Sequence, residues 1–188
     1  MTIRSTLMTA AAAIALGTAA AAQTDTMENP MVGGAEMMAD MTIVENASNA
    51  PNLTTLVAAV QQAELVETLS GEGPFTVFAP TDTAFEAVPA ETLESVMMDE
   101  NRETLQGILT YHVVSGTFTA EDIMAAIEEG GGTANLTTVA GGTVTAQMDG
   151  DALVVIDESG NGAIVETADV MQSNGVVHVI DTVLMPAM

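Results

Sequence analysis

From Ala134 to Ile180 the chain is a succession of short apolar or alternating runs: "ANLTTVA", "TVTAQM", "ALVVID", "GAIVET" and "GVVHVI". None is long enough for an ordinary helix. The clusters between them, "GG", "DGD" and "ESGN", are the residues that tight turns demand. This half of the chain therefore reads as a series of antiparallel strands.

Upstream the spacing is helical. Leu53, Leu56, Val57 and Val60 fall at i, i+3, i+4 and i+7, one face of an amphipathic helix, and "ELVETL" extends or follows it until "SGEGP". "FTVFA" between Pro74 and Pro80 reads as a strand. Thr83 and Glu86 stand at capping-box spacing, Pro89 opens "PAETLESVMM", and Leu105, Ile108 and Leu109 mark a helix from about Glu100 to Thr110. Thr119 is the expected N-cap of "AEDIMAAIEE", which Gly130–Gly132 ends. Helices first and strands later give an α+β domain with segregated layers.

The ends bound where the domain lies. "MTIRSTLMTAAAAIALGTAAAAQ" carries Arg4, a small-residue apolar run and an Ala-x-Ala pattern at residues 20–22, the features of a cleavable secretory signal. Residues 1–22 are read as that signal, 23–40 as a flexible linker without periodicity, and 41–188 as the folded domain. Export favours disulfides in small domains, but the chain has no cysteine, so packing alone must hold it together. The expected location is secreted, periplasmic or extracellular.

Charge excludes several function classes. Two basic residues face 26 acidic ones, for a formal net charge of −24. Such a surface repels phosphate backbones and anionic lipid, which excludes nucleic-acid partners, and nothing after residue 22 is long and apolar enough to span a membrane, so no membrane insertion is expected after signal removal. It suits solubility in salt, or loose association with divalent cations.

Besides the carboxylates, few side chains have the chemistry for catalysis or metal binding. There is no cysteine and no G-x-S-x-G elbow. In "NGVVHVIDTVLMP", strand alternation sets His178 and Asp181 on opposite faces, which argues against a dyad and for a buried neutral imidazole bonded to backbone. His112 follows Tyr111 at an expected helix C-terminus, where the dipole favours a cationic ring. "DESGNGAIVETA" follows a calcium loop from Asp157 through Ser159, Asn161 and Gly162 but has Ala168 where the bidentate glutamate belongs. Met31, Met37, Met38 and Met41 form the one cluster with soft-metal character, set against methionine as a flexible filler. No enzyme activity, cofactor or metal is expected.

Four segments together resemble the fasciclin (FAS1) family: "LTTLVAAVQQAEL" (residues 53–65), "FTVFAPTDTAF" (75–85), "YHVVSG" (111–116) and "ADVMQSNGVVHVIDTVLMP" (168–186). The resemblance implies a β-wedge of two small, mainly antiparallel sheets with several helices packed around it. It gives Tyr111, His112, Asn174, Gly175 and His178 structural roles. It implies a non-enzymatic adhesion or extracellular-matrix module whose partner is a surface protein or polysaccharide. The family's E-P-D-I-M interaction motif aligns with "TADVM", so Asp169, Val170 and Met171 become the candidate partner-binding residues, while Thr167 and Ala168 depart from it. A small-ligand or glycan-binding module is the alternative, weakened by a supply of only four Phe and one Tyr.

Overall fold

The computed structural model describes residues 29–186. The expected signal peptide and residues 23–28 of the expected linker lie outside them. In chain order the elements are β1 (Met31–Val32), β2 (Ala35–Glu36), α1 (Ile43–Asn49), α2 (Thr54–Gln62), α3 (Val66–Leu69), β3 (Phe75–Pro80), α4 (Asp82–Glu86), α5 (Ala90–Val96), α6 (Arg102–Tyr111), β4 (Val113–Ser115), α7 (Ala120–Glu129), β5 (Thr133–Thr137), β6 (Thr143–Asp149), β7 (Ala152–Ile156), β8 (Gly162–Gln172) and β9 (Gly175–Ile180). A short 3-10 turn over Asp99–Asn101 leads into α6.

Seven strands run in the order β4-β3-β9-β8-β7-β6-β5, and β1 and β2 form a separate small hairpin. The eleven-residue β8 joins two halves of the larger sheet. Its first residues pair with β7, and the stretch from Val165 to Gln172 pairs with β9. An isolated bridge between Val114 and Thr138 brings the outer strands together, which makes the sheet a wedge. The α+β class and wedge architecture agree with the expectation.

Alternation along β3 and β9 divides the interior into two cores. Val77 and Ala79 of β3, with Val177 and Val179 of β9, face the helices and pack with Leu56, Val60 and Leu109. Phe78 and Ile180 face the other way and join Tyr111, Ile123, Ile127, Val144 and Val155. Ile123 and Ile127 lie four apart on α7, so its buried stripe closes this second core.

The sheets are mainly antiparallel, as expected, with one parallel pair: β9 lies beside β3, Phe75↔Gly175 through Pro80↔Ile180. The long connection between these two strands carries helices, and such a connection is what parallel pairing requires. The cap of α4 is Thr81, whose hydroxyl accepts from the Ala84 N–H at 3.3 Å, and not Thr83. Helix α1 was not foreseen, although Thr42 and Glu45 form a reciprocal capping box at its start.

The stretch read as flexible linker is also folded from Pro30 onward. Val32 and Met37 are each 2% exposed and belong to the first core. Gly33 and Gly34 turn the hairpin with φ of 60° and 91°. Two isolated apolar anchors around a glycine turn carry no period, which is why the pattern looked structureless.

Candidate functional site

The expected interaction residues lie where β8 meets the start of α7. β8 carries one extra residue between Thr167 and Val170, because these pair with Val179 and Val177. A bulge of this kind re-aims a side chain. Asp169 sits in it with φ 55°, a conformation that Asp tolerates better than most residues. Its Oδ1 accepts the N–H of Ala120 at 2.7 Å, the first residue of α7. Val170 is 1% exposed, in the first core. Met171 is 42% exposed. Of the three, Met171 alone presents its side chain freely to solvent, since the Asp169 carboxylate is engaged on the helix and Val170 is interior.

His178 lies opposite that bulge and is fully buried. Its Nε2 donates to the Phe118 carbonyl at 2.8 Å, and its Nδ1 accepts the Asp169 N–H at 3.4 Å. The ring stacks on Phe78 with centroids 5.6 Å apart. Burial pushes its pKa below the usual imidazole value, so the ring is neutral. Asp181 is engaged elsewhere: its Oδ1 accepts from the Ile164 N–H at 2.8 Å and from the Thr182 hydroxyl at 3.0 Å. Imidazole and carboxylate share no hydrogen bond.

His112 corrects the cationic reading. Its Nδ1 donates to the Ile108 carbonyl in the last turn of α6 at 2.7 Å, but its Nε2 accepts the N–H of Leu184 at 3.0 Å. Burial lowers its pKa to about 4. A cation would need a second acceptor where a donor stands, so desolvation outweighs the helix dipole. Beside it, the Tyr111 hydroxyl donates to the Thr143 carbonyl at 2.9 Å and accepts the Glu158 N–H at 3.0 Å. Burial pushes the Tyr111 phenol up.

The calcium-like run starts in the hairpin turn between β7 and β8 and from Gly162 onward is strand β8 itself. Asp157 is 5% exposed. Its carboxylate accepts the Asn161 N–H at 2.8 Å, the Asn161 side-chain amide at 3.0 Å and the Met185 N–H at 3.0 Å. Protein donors thus occupy the oxygens that would head a calcium loop. Among the described residues no group of three or more His, Cys, Asp or Glu side chains could hold a metal ion. The core takes up Met37, while Met31 and Met38 point to solvent, so the methionine cluster is split.

A groove of about 560 Å3 lies open between the Ser70–Pro74 loop and the β8–β9 turn. Asn174 builds it. Its side-chain amide donates to the carbonyls of Leu69 and Gly71 at 2.7 and 3.1 Å, and its Oδ1 accepts the Ile43 N–H at 3.1 Å. Gly175 lets the strands meet, since a Cβ there would stand 1.9 Å from the Phe75 carbonyl oxygen. Exposed Ser70, Glu72, Thr117, Met171 and Ser173 line the groove. Of the groove's lining the sequence singles out only Met171; the facing loop, "SGEGP", reads there only as a helix stop.

Comparison with known proteins agrees with this architecture. The Fasciclin domain model matches residues 51–186. Protein sll1483 of Synechocystis is 47% identical over 178 residues, covering 94% of this chain and 91% of that protein. The cell surface glycolipoprotein MPB83 of Mycobacterium bovis is 37% identical over 159 residues, covering 82% of this chain and 64% of its own length. Among solved structures, a FAS1 domain pair from the insect cell adhesion molecule Fasciclin I superposes with a TM-score of 0.70 at 20% identity, over 77% of this chain and 51% of that one. With its sequence matched across most of the described residues and its wedge shared, the chain belongs to the fasciclin domain family.

Proposed function

We propose that the protein is an exported, non-enzymatic adhesion module that holds a cell-surface or matrix component by surface complementarity. One observation carries this reading. Both histidines spend both ring nitrogens on backbone groups, and the Asp157 and Asp169 carboxylates serve as internal caps, so the polar chemistry that could act on a substrate is committed to the scaffold. A groove with an exposed Met171 at its edge is left for contact. Kinship with a protein described as a cell surface glycolipoprotein, and a fold shared with an insect cell adhesion molecule, support the same reading. No helix among the described residues is long and apolar enough to cross a membrane.

The test is attachment of a deletion strain to surfaces, complemented with the native chain or with Met171→Glu. Reduced attachment that the native chain restores and M171E does not is the expected outcome. Attachment unchanged across several salt and calcium conditions would count against adhesion.

A glycan ligand is the second reading. The exposed hydroxyls of Ser70, Thr117 and Ser173 in one groove favour it, and the absence of an aromatic ring from that groove weakens it. A thermal-shift screen against neutral polysaccharides separates the two, because a flat response removes the glycan.

A further inference from the structure

A second feature lies away from the groove, under α5. Phe85, Val88, Leu93, Leu105, Ile108 and Val183 enclose an apolar cavity of about 50 Å3 whose lining is otherwise apolar apart from Thr92 and His112. Both nitrogens of the His112 ring are engaged by backbone, so its face acts as an apolar wall. A second apolar void of about 30 Å3 lies among Ile43, Leu56, Val60, Leu69 and Val77, and shares Leu109 and His112 with the first. Water needs two to four polar partners in such a space, and these walls offer almost none.

The cover is lightly held. Not one residue of α5 is buried, and its N-cap Pro89 makes no side-chain hydrogen bond. Leu93, Val96 and Met97 are only half-buried over the cavity. Elements with so little burial open locally at small cost in free energy. The helices around the cavity also select on charge. Glu86, Glu91, Glu94 and Glu103 are exposed on α4, α5 and α6. The single cation of these helices, Arg102, is engaged by Glu64 at 2.8 Å and Asp99 at 3.4 Å.

We propose that the cavity beneath α5 is a binding site for an uncharged aliphatic chain, which enters as α5 lifts from α6. In the closed form the space amounts to a water or two. The ligand therefore replaces the contacts of Leu93, Val96 and Met97 and pushes the helix outward. A carboxylate or phosphate head is repelled by the surrounding glutamates, and a hydroxyl or hydrocarbon end is accepted. This site is independent of the groove and of adhesion.

The test uses the uncharged fluorophore N-phenyl-1-naphthylamine with the folded protein, which has no tryptophan to interfere. Emission should rise, and 1-dodecanol should reverse the rise while dodecanoate at the same concentration does not. Ile108→Phe fills the cavity and should weaken probe binding at least tenfold with the thermal midpoint retained. Should that variant not fold, Val88→Phe replaces it. Hydrogen exchange provides a second readout: dodecanol should alter protection in α5 and leave α7 unchanged. No rise in emission, equal displacement by dodecanoate, undiminished binding to the filled variant, or uniform exchange effects would each overturn the proposal.

Discussion

Asp169 and Ala120 are 49 residues apart, and the Asp169 carboxylate nevertheless caps the first N–H of α7 at 2.7 Å. The contact joins the bulged strand to the helix that closes the second core. It also fixes the approach to Met171, two residues further along β8. Replacing Asp169 with Ala should cost about 2 kcal/mol, because the cap is lost and a Cβ residue without a local polar partner is left at positive φ. Asp169→Asn should recover most of that loss, and Asp169→Gly part of it through the backbone alone. Urea unfolding of the three variants checks the order. Equal stability of all three would show that the cap contributes nothing.

His178 gives the second prediction. Phenylalanine in its place keeps a flat ring against Phe78 but leaves the Phe118 carbonyl and the Asp169 N–H unpaired in the interior. Two buried unsatisfied groups cost about 3 kcal/mol together. A large fall in the denaturation midpoint with attachment preserved in the surviving folded fraction is expected, since the imidazole serves the scaffold. Unchanged stability with lost attachment would move His178 from scaffold to function.

Much of this was legible in the sequence, and the limits follow a physical division. Features set by neighbours in the chain could be read: the Thr119 cap of α7, the alternation that buries His178, the glycine turns between strands. Features set by distant partners could not. His112 looks cationic from its helix alone, but burial keeps it neutral, and the Leu184 N–H that its Nε2 accepts lies 72 residues away. The bulge at Asp169 has no local signature, because it exists to meet α7. The parallel pairing of β3 with β9 depends on where the long connection returns. The candidate groove follows the same division: Met171 stands in a motif-like segment, whereas the loop facing it meets the β8–β9 turn through the Asn174 side chain and through the Phe75 N–H on the Asn174 carbonyl.

The pH dependence follows from the two imidazoles. His112 has a folded pKa lowered to about 4 from 6.5, and His178 is lowered as well. A base with a depressed folded pKa binds fewer protons in the folded state, so stability is full above the unfolded value and falls as pH drops through 6.5 toward 4. For His112 the loss is about 3 kcal/mol across that window. The two depressed imidazoles therefore give a stability slope between pH 6.5 and 5. Glu45 and Asp122 add a loss at lower pH, held below the usual carboxylate value by the backbone N–H of Thr42 and the hydroxyl of Thr119 respectively. Denaturant unfolding from pH 7.5 to 5 in high salt, where the acidic surface is screened, should show the slope. His112→Gln should flatten it. A native slope unchanged by that variant would contradict a neutral His112.

The amino-terminal hairpin separates a linker from a structural element most sharply. Met37 is 2% exposed and packs in the first core, and the Asn46 side chain reaches back from α1 to accept the Met38 N–H at 3.0 Å while donating to the Met38 carbonyl and to Gln172. A true linker would tolerate any substitution there. Met37→Ala should instead cost about 3 kcal/mol, the usual range for emptying a buried methionine site. Met31→Ala, at a position 60% exposed, should change stability by less than about 0.5 kcal/mol. Chemical denaturation of both variants decides the matter within one short segment. If Met37→Ala is as mild as Met31→Ala, the hairpin contributes nothing to the fold, and the domain begins at α1.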